Sequence, residues 1–409
     1  MRRSIVSTVV LLGALLGCSS SDKAATGTDP KTNPSNQIEI FSWWVAPGEA
    51  EPLQVLIDAA KSQDGVTVVN STALDKGNAR TNLAKRLADG DPPDAYQLNQ
   101  YDDVSSLVPQ DELIDSLNLR DKIFPDVLNE LSRNGKIYGI PVNVHRGNTL
   151  YTSTAVMKKY KLEVPQTIQQ MMAICHDPRL KADGVAAIGL GHEGWVLRTA
   201  FNAIGLGVMG PDTFVDFFKK EPVGRTSPDV LAKLDTLLDT FEDILTNCSN
   251  ANAKDDGTGW TTIADLLNDG KIAMYLHGNW VTGYLQAQGA TPGVDFDANG
   301  SPDSQEFFGY VLDWFSQPVG GPNPEGTQGF FKAVLSESAQ AQFSALKGSS
   351  PARRDIDPSL WSDALAKRTY ADLNSAKSLA LLSESIDTAI GQYFIDRDKA
   401  AFRAAILAL

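Results

Sequence analysis

From Gln37 onward the apolar positions alternate, then recur at helical spacing, then alternate again. In Gln37–Ser42, Ile38 and Ile40 share one face, which predicts a strand. Ala50–Gln63 sets Leu53, Leu56, Ile57 and Ala60 on one side of a helix. Gly65–Ser71 (GVTVVNS) predicts a second strand. Asn78–Asp89 predicts a second helix ended by Gly90, and Pro93–Leu98 (PDAYQL) a third strand. This β-α-β-α-β order predicts an α/β fold with a parallel, doubly wound sheet. Such sheets bind ligands beyond the carboxyl ends of their strands. Trp43, Trp44 and Glu49 follow the first strand, and Gln97–Asp103 lies at and past the end of the third. Both clusters are therefore expected on one rim.

Further along, Lys136–Tyr151 is β-rich and Thr152–Lys254 mostly helical, with loops across Cys175–Gly194. Thr258–Asn268 predicts a helix, Lys271–Leu276 a strand, Gly289–Glu306 a polar loop and Phe307–Phe315 a strand. Gly326–Leu346 and Trp361–Leu409 read as helical, and no internal repeat is visible.

The first residues have a different pattern. Arg2 and Arg3 precede an apolar run from Ile5 to Leu16, too short for a permanent membrane span, so 1–17 reads as a signal peptide. The run ends in Leu15-Leu16-Gly17-Cys18, which resembles a lipobox and implies lipidation of Cys18. Ser19–Asn36 lacks apolar periodicity and is expected to be a disordered tether reaching on the order of 25 Å. The remainder exceeds a single-core domain, so two are expected. The net charge of -14 argues against a nucleic-acid partner. Cys175 and Cys248 are expected to form a disulfide in an oxidising compartment.

Five blocks carry a family resemblance: FSWWVAPGEAEPL (41–53), RLADGDPPDAYQ (86–97), IPVNVHRGNTLY (140–151), GKIAMYLHGNW (270–280) and LKGSSPARRDID (346–357). In this order the chain resembles extracytoplasmic solute-binding proteins (family 1) of sugar ABC importers, closest to the glucose/galactose-type binding lipoproteins. The resemblance implies the type II periplasmic-binding-protein fold: two α/β lobes, each a mostly parallel sheet flanked by helices, hinged by crossing strands near His145 and Tyr310. One lobe is expected over 37–143 and 307–345, the other over 148–306 and 346–409. It also implies a monomeric receptor, held at the membrane by lipid on Cys18, that delivers a hexose to permease subunits. No cofactor and no catalytic residues are implied.

A pyranose has an apolar C–H face that an aromatic ring covers, and hydroxyls that need acceptors and donors. Trp44 is expected to stack on the sugar, with Trp43 next to it. By resemblance, Glu49, Gln97, Asn99, Asp103 and Asp313 serve the hydroxyls, Lys347 donates, and Trp260 stacks from the other lobe. His145 and Arg146 read as hinge residues. Asn99, Asn279 and Leu381 depart from the family's usual His, Asp and His, which points to a sugar other than glucose. Asp295-x-Asp297-x-Asn299-Gly300 with Glu306 fits a calcium-loop pattern, but Pro302 and the flanks do not, so a solvated acidic loop is expected and no metal. An oligosaccharide or modified-sugar binding protein, a sugar sensor and a glycoside-acting enzyme are the competing functions; the last needs a carboxyl pair across one bond, which only Glu49 and Asp313 could supply.

Overall fold

The computed structural model describes residues 36–74, 79–101, 103–218, 225–250, 259–380 and 386–409. The signal peptide, Cys18, nearly all of the tether and Leu381 lie outside them.

The first strand, β1 (Gln37–Phe41), buries Ile38 and Ile40 completely, as its alternation predicts. The helix Ala50–Asp64 lays Leu53, Leu56 and Ala60 into the same core. It stops at Gly65, whose φ of 68° is left-handed, so its N–H can turn back to the Lys61 carbonyl at 3.2 Å. β2 (Thr67–Asn70) and β3 (Ala95–Leu98) flank β1 in parallel, completing the predicted start.

Ser132–Arg133 (β4) and Lys136–Ile137 (β5) form a small hairpin. β6 (Ile140–Arg146), buried at every position, then enters the first sheet. β7 (Thr149–Ser153) belongs to a second sheet with β8 (Ala186–Gly189), β9 (Ile272–His277) and β10 (Phe296–Gly300), in the order β10-β7-β9-β8. β11 (Phe307–Ser316) returns to the first sheet, joined by β12 (Ser350–Pro351) and β13 (Lys377–Ala380). That sheet has the order β12-β6-β11-β3-β1-β2, with β13 also on β11. The chain thus crosses between sheets at 147–148 and again at 301–306. Asn148, fully buried, braces both crossings: its Oδ1 accepts from Gly309 N at 2.9 Å and its Nδ2 donates to Phe307 O at 3.1 Å.

Each sheet carries its own hydrophobic core. The first gathers Ile38, Leu56, Val142, Phe315 and Phe331. The second gathers Leu150, Phe201, Leu237, Phe241 and Tyr393, including the carboxyl-terminal helices Asp387–Asp396 and Lys399–Leu407. Cys175, at the end of the helix Ile168–Cys175, is bonded to Cys248 with the Cα atoms 5.1 Å apart.

The sheets are more mixed than the βαβ reading expects. Parallel pairing holds for β2-β1-β3, β8-β9 and β11-β13, while β11 is antiparallel to β3 and β6, and β7 to β9 and β10. Two expected loops contain strands. β10 lies inside Gly289–Glu306 because Phe296, Ala298 and Gly300 alternate inward; its Asp, Asn and Gly are poor strand formers and hide the pattern. β8 lies inside Cys175–Gly194. Residues 346–380 also do not sit wholly with the second lobe: β12 pairs with β6, and Ala352 and Leu373 join the first core.

Candidate functional site

The ends of β1 and β3 open onto a pocket of about 250 Å³ lined by Trp43, Gln97, Asn99, Asp103 and Tyr96, among others. Four of the residues singled out in the sequence therefore line one cavity at the carboxyl edge of the parallel strands, where the topology places ligand sites. Asp103 is exposed and tied into its own turn: Ser105 N donates to its Oδ1 at 3.0 Å, and the Ser105 hydroxyl binds the other oxygen. These bonds, the hydroxyl's foremost, hold its carboxyl below the usual range.

The tryptophan pair divides in the opposite sense to the expectation. Consecutive side chains leaving a strand point to opposite sides. Trp43 is half-buried and faces the pocket, whereas Trp44 is 2% exposed. Trp44 packs between Phe315, edge-on at 6.0 Å, and Phe343 at 4.9 Å. Its indole is part of the first lobe's core and has no open face for a ligand; the stacking role assigned to Trp44 is corrected accordingly.

A buried polar chain starts beneath this rim. The Ser42 hydroxyl donates to Gln97 Oε1 at 2.6 Å, and Gln97 Nε2 donates to Asp313 Oδ1 at 3.1 Å. Asp313 sits where β11 shifts register against β6, an irregularity of the kind that re-aims side chains next to sites. Its Oδ2 is 3.6 Å from His145 Nε2, and His145 Nδ1 is 2.6 Å from Asn279 Oδ1. Burial, aided by the nearby Lys347 cation, pushes the His145 imidazole well below its ordinary pKa, so the ring is neutral. The chain therefore runs from the end of β1, through β3, β11 and β6, to the residue two beyond β9 in the other sheet.

Glu49 and Lys347 meet on the same side. Lys347 Nζ donates to Glu49 Oε1 at 2.8 Å and stands 5.9 Å from the Trp44 ring. Glu49 occupies the N-cap position of Ala50–Asp64 without capping it through its side chain, so the lysine is its partner.

The second lobe contributes an aromatic group. Trp260, half-buried at the start of the helix Trp260–Asn268, stacks at 6.3 Å over His277 and meets Tyr284 at 5.3 Å. Trp195 and Trp280 complete the group, 5.2 Å and 5.0 Å from His277. Trp280 also meets His145 edge-on at 5.2 Å, which joins the aromatic group to the polar chain. A Cβ at Gly278 would overlap the Trp280 indole, so glycine is required there. The sequence reading missed Trp195, Trp280 and His277. The run His277-Gly278-Asn279-Trp280 held the signal, because glycine beside tryptophan at a strand end is a close-packing device. Nothing in the local pattern marked Trp195.

The segment resembling a calcium loop is largely strand β10. Asp297 is held by Arg368 at 3.1 Å, and Asp295 Oδ2 accepts from Thr291 N at 2.8 Å. Strand alternation directs neighbouring side chains to opposite faces. Among the described residues no group of three or more His, Cys, Asp or Glu is arranged to hold a metal ion. None of their helices is long and apolar enough to cross a membrane.

Residues 55–369 match the family described as bacterial extracellular solute-binding protein. A relative from Pyrococcus horikoshii, named an uncharacterized ABC transporter extracellular-binding protein, is 26% identical over 97% of this chain and 90% of its own length. A probable sugar-binding periplasmic protein of Mesorhizobium japonicum is 29% identical over 87% of this chain and 85% of its own. Among solved structures, a bacterial solute receptor with a stated exclusive preference for β-D-galactopyranose superposes with a TM-score of 0.76. It is 15% identical and the match covers 91% of this chain and 97% of that one, a likeness of fold.

Proposed function

The chain belongs to the bacterial extracellular solute-binding proteins, and from that premise we propose that it is the sugar receptor of an ABC importer, binding a hexose in the cleft between its lobes. The family's members are binding receptors rather than enzymes. The observation that carries the sugar reading is the first-lobe pocket at the ends of β1 and β3, which Trp43, Gln97, Asn99 and Asp103 line together with apolar residues such as Leu83 and Leu87. An indole removes the C–H face of a pyranose from water, and the polar groups beside it satisfy hydroxyls.

Glu49, Asp313 and Lys347 supply further acceptors and a donor, and Trp260 closes on the sugar from the second lobe. Binding energy that depends on both lobes favours the conformer in which they meet, and that conformer presents the ligand to the permease. Lipid on Cys18 keeps the monomer beside its permease on the outer side of a membrane. The name of the Mesorhizobium japonicum relative supports the sugar class.

A second reading, an oligosaccharide, is favoured by the three half-buried indoles of the second lobe, Trp195, Trp260 and Trp280. Together they offer more aromatic surface than one ring needs. Calorimetric titration with D-glucose, D-galactose and their disaccharides tests both. Tight binding of a monosaccharide supports the first, and a disaccharide preference of about tenfold or more supports the second. Binding of neither class rejects the sugar reading.

A further inference from the structure

Phe41 and Tyr96 are direct neighbours across β1 and β3, so their side chains share one face of the first sheet. Both line the pocket, as do Trp43 and Leu98, each two residues further along. Ser42 and Gln97 alternate to the opposite face, where the Ser42 hydroxyl donates to Gln97 Oε1 and Gln97 Nε2 donates to Asp313. Gln97 thus lines the pocket with both ends of its amide already engaged.

The helix Ala79–Ala88 supplies the facing wall with Leu83, Ala84 and Leu87, at the spacing of one helical face. Its charges are spent elsewhere: Arg86 pairs with Glu39 at 2.6 Å, and Lys85 with Asp89. Phe41, Leu83 and Tyr96 form, with Leu107, a buried apolar cluster separate from the lobe's main core. The polar lining residues Asn99, Gln100 and Asp103 all come from the loop after β3, so the pocket has a polar side and an apolar side. A hydroxyl buried without a partner costs about 1–3 kcal/mol. A hexose carries hydroxyls around its ring, and Leu83 and Leu87 offer none of them a partner. An apolar cavity of about 150 Å³ admits a benzene ring, and this pocket is about 250 Å³.

Resting on the sugar reading, we propose that the solute is a glycoside with an apolar, ring-sized aglycone: the sugar is held on the polar side of the pocket, and the aglycone lies between Leu83 and Leu87 on one wall and Phe41 and Tyr96 on the other. Trp43 lines the same pocket and covers the C–H face of the sugar. Affinity for the aglycone comes from removing its apolar surface from water. Selectivity against a bare hexose in this part of the pocket comes from the hydroxyls that the leucine wall leaves unpaired.

The test is calorimetric titration of the full-length protein with D-glucose, D-galactose and the methyl and phenyl glycosides of both, in each anomer. One phenyl glycoside is expected to bind about tenfold or more tighter than the methyl glycoside of the same sugar and anomer, with a more negative heat-capacity change. In Leu87→Gln, which puts an amide on the apolar wall, that ratio should fall toward unity. Ala84→Glu places a charge on the same wall at an exposed position that the fold does not depend on, and should lower the ratio in the same way. Phenyl glycosides that bind no tighter than methyl glycosides overturn the inference and leave the sugar reading standing. A phenyl preference that both variants retain in full overturns the placement of the aglycone. Failure of every sugar and glycoside to bind is a distinct outcome, which overturns the sugar reading and this inference with it.

Discussion

Lys347 Nζ lies 2.8 Å from Glu49 Oε1, in an ion pair whose lysine side chain is 2% exposed and whose glutamate is 15% exposed. It fastens the loop after β1 to the end of the helix Glu337–Lys347. Removing one partner strands the other's charge in a nearly dry place. Lys347→Met is therefore expected to cost about 2 kcal/mol, at the low end for a buried pair because Glu49 keeps some water. Adding Glu49→Gln should restore most of it. Chemical denaturation of the two variants checks this, and equal losses in both would show that the pair is not what the lysine contributes.

The divided tryptophan pair gives a sharper contrast. Trp44→Ala empties a core position between Phe315 and Phe343 and should cost about 3–5 kcal/mol of stability. Trp43→Ala removes a pocket wall and should leave stability within about 1 kcal/mol while weakening sugar binding about tenfold or more. Thermal melts paired with titrations read both effects.

Gly283 lies in the helix Trp280–Ala287, where alanine would ordinarily help by about 1 kcal/mol. Here a Cβ would come 2.5 Å from the Leu346 carbonyl oxygen and 2.8 Å from the Lys347 backbone, neither of which can swing aside. Gly48, at a φ of 72°, closes on the same helix from the loop after β1. Overpacking costs about 1–3 kcal/mol and should outweigh the helical gain. Gly283→Ala is expected to lower the melting temperature and weaken sugar binding together, since the two lobes meet at this point.

Burial, with Arg198 nearby, lowers the His277 pKa to about 3 from its ordinary 6.5. The native ring is neutral where the unfolded one is charged, so between these values the unfolded chain binds the extra proton. Stability is then full above pH 6.5 and falls as the pH drops toward 3, by about 2 kcal/mol at pH 5 from this group. His145 acts in the same direction. The His277→Gln variant should lose correspondingly less stability between pH 6.5 and pH 5 in urea titrations.

The first sheet was legible because Ile38, Ile40, Leu53 and Leu56 obey the periods of strand and helix without exception. The family resemblance pointed to Gln97, Asp313, Glu49 and Lys347, which the fold brings into two connected groups. The sequence could not resolve which tryptophan turns inward, because that depends on where the strand's pleat ends rather than on composition. Trp195 reaches the aromatic group only through the helix Gly194–Met209, far in sequence from Trp260 and Trp280. β10 stayed hidden because its polar residues resemble a loop.

The most direct measurement is calorimetric titration of the full-length protein with hexoses and their oligosaccharides. The account predicts saturable, one-to-one binding of one sugar at about micromolar affinity or tighter. Absence of binding by every sugar in the panel would contradict it, leaving a solute-binding fold whose solute is not a sugar.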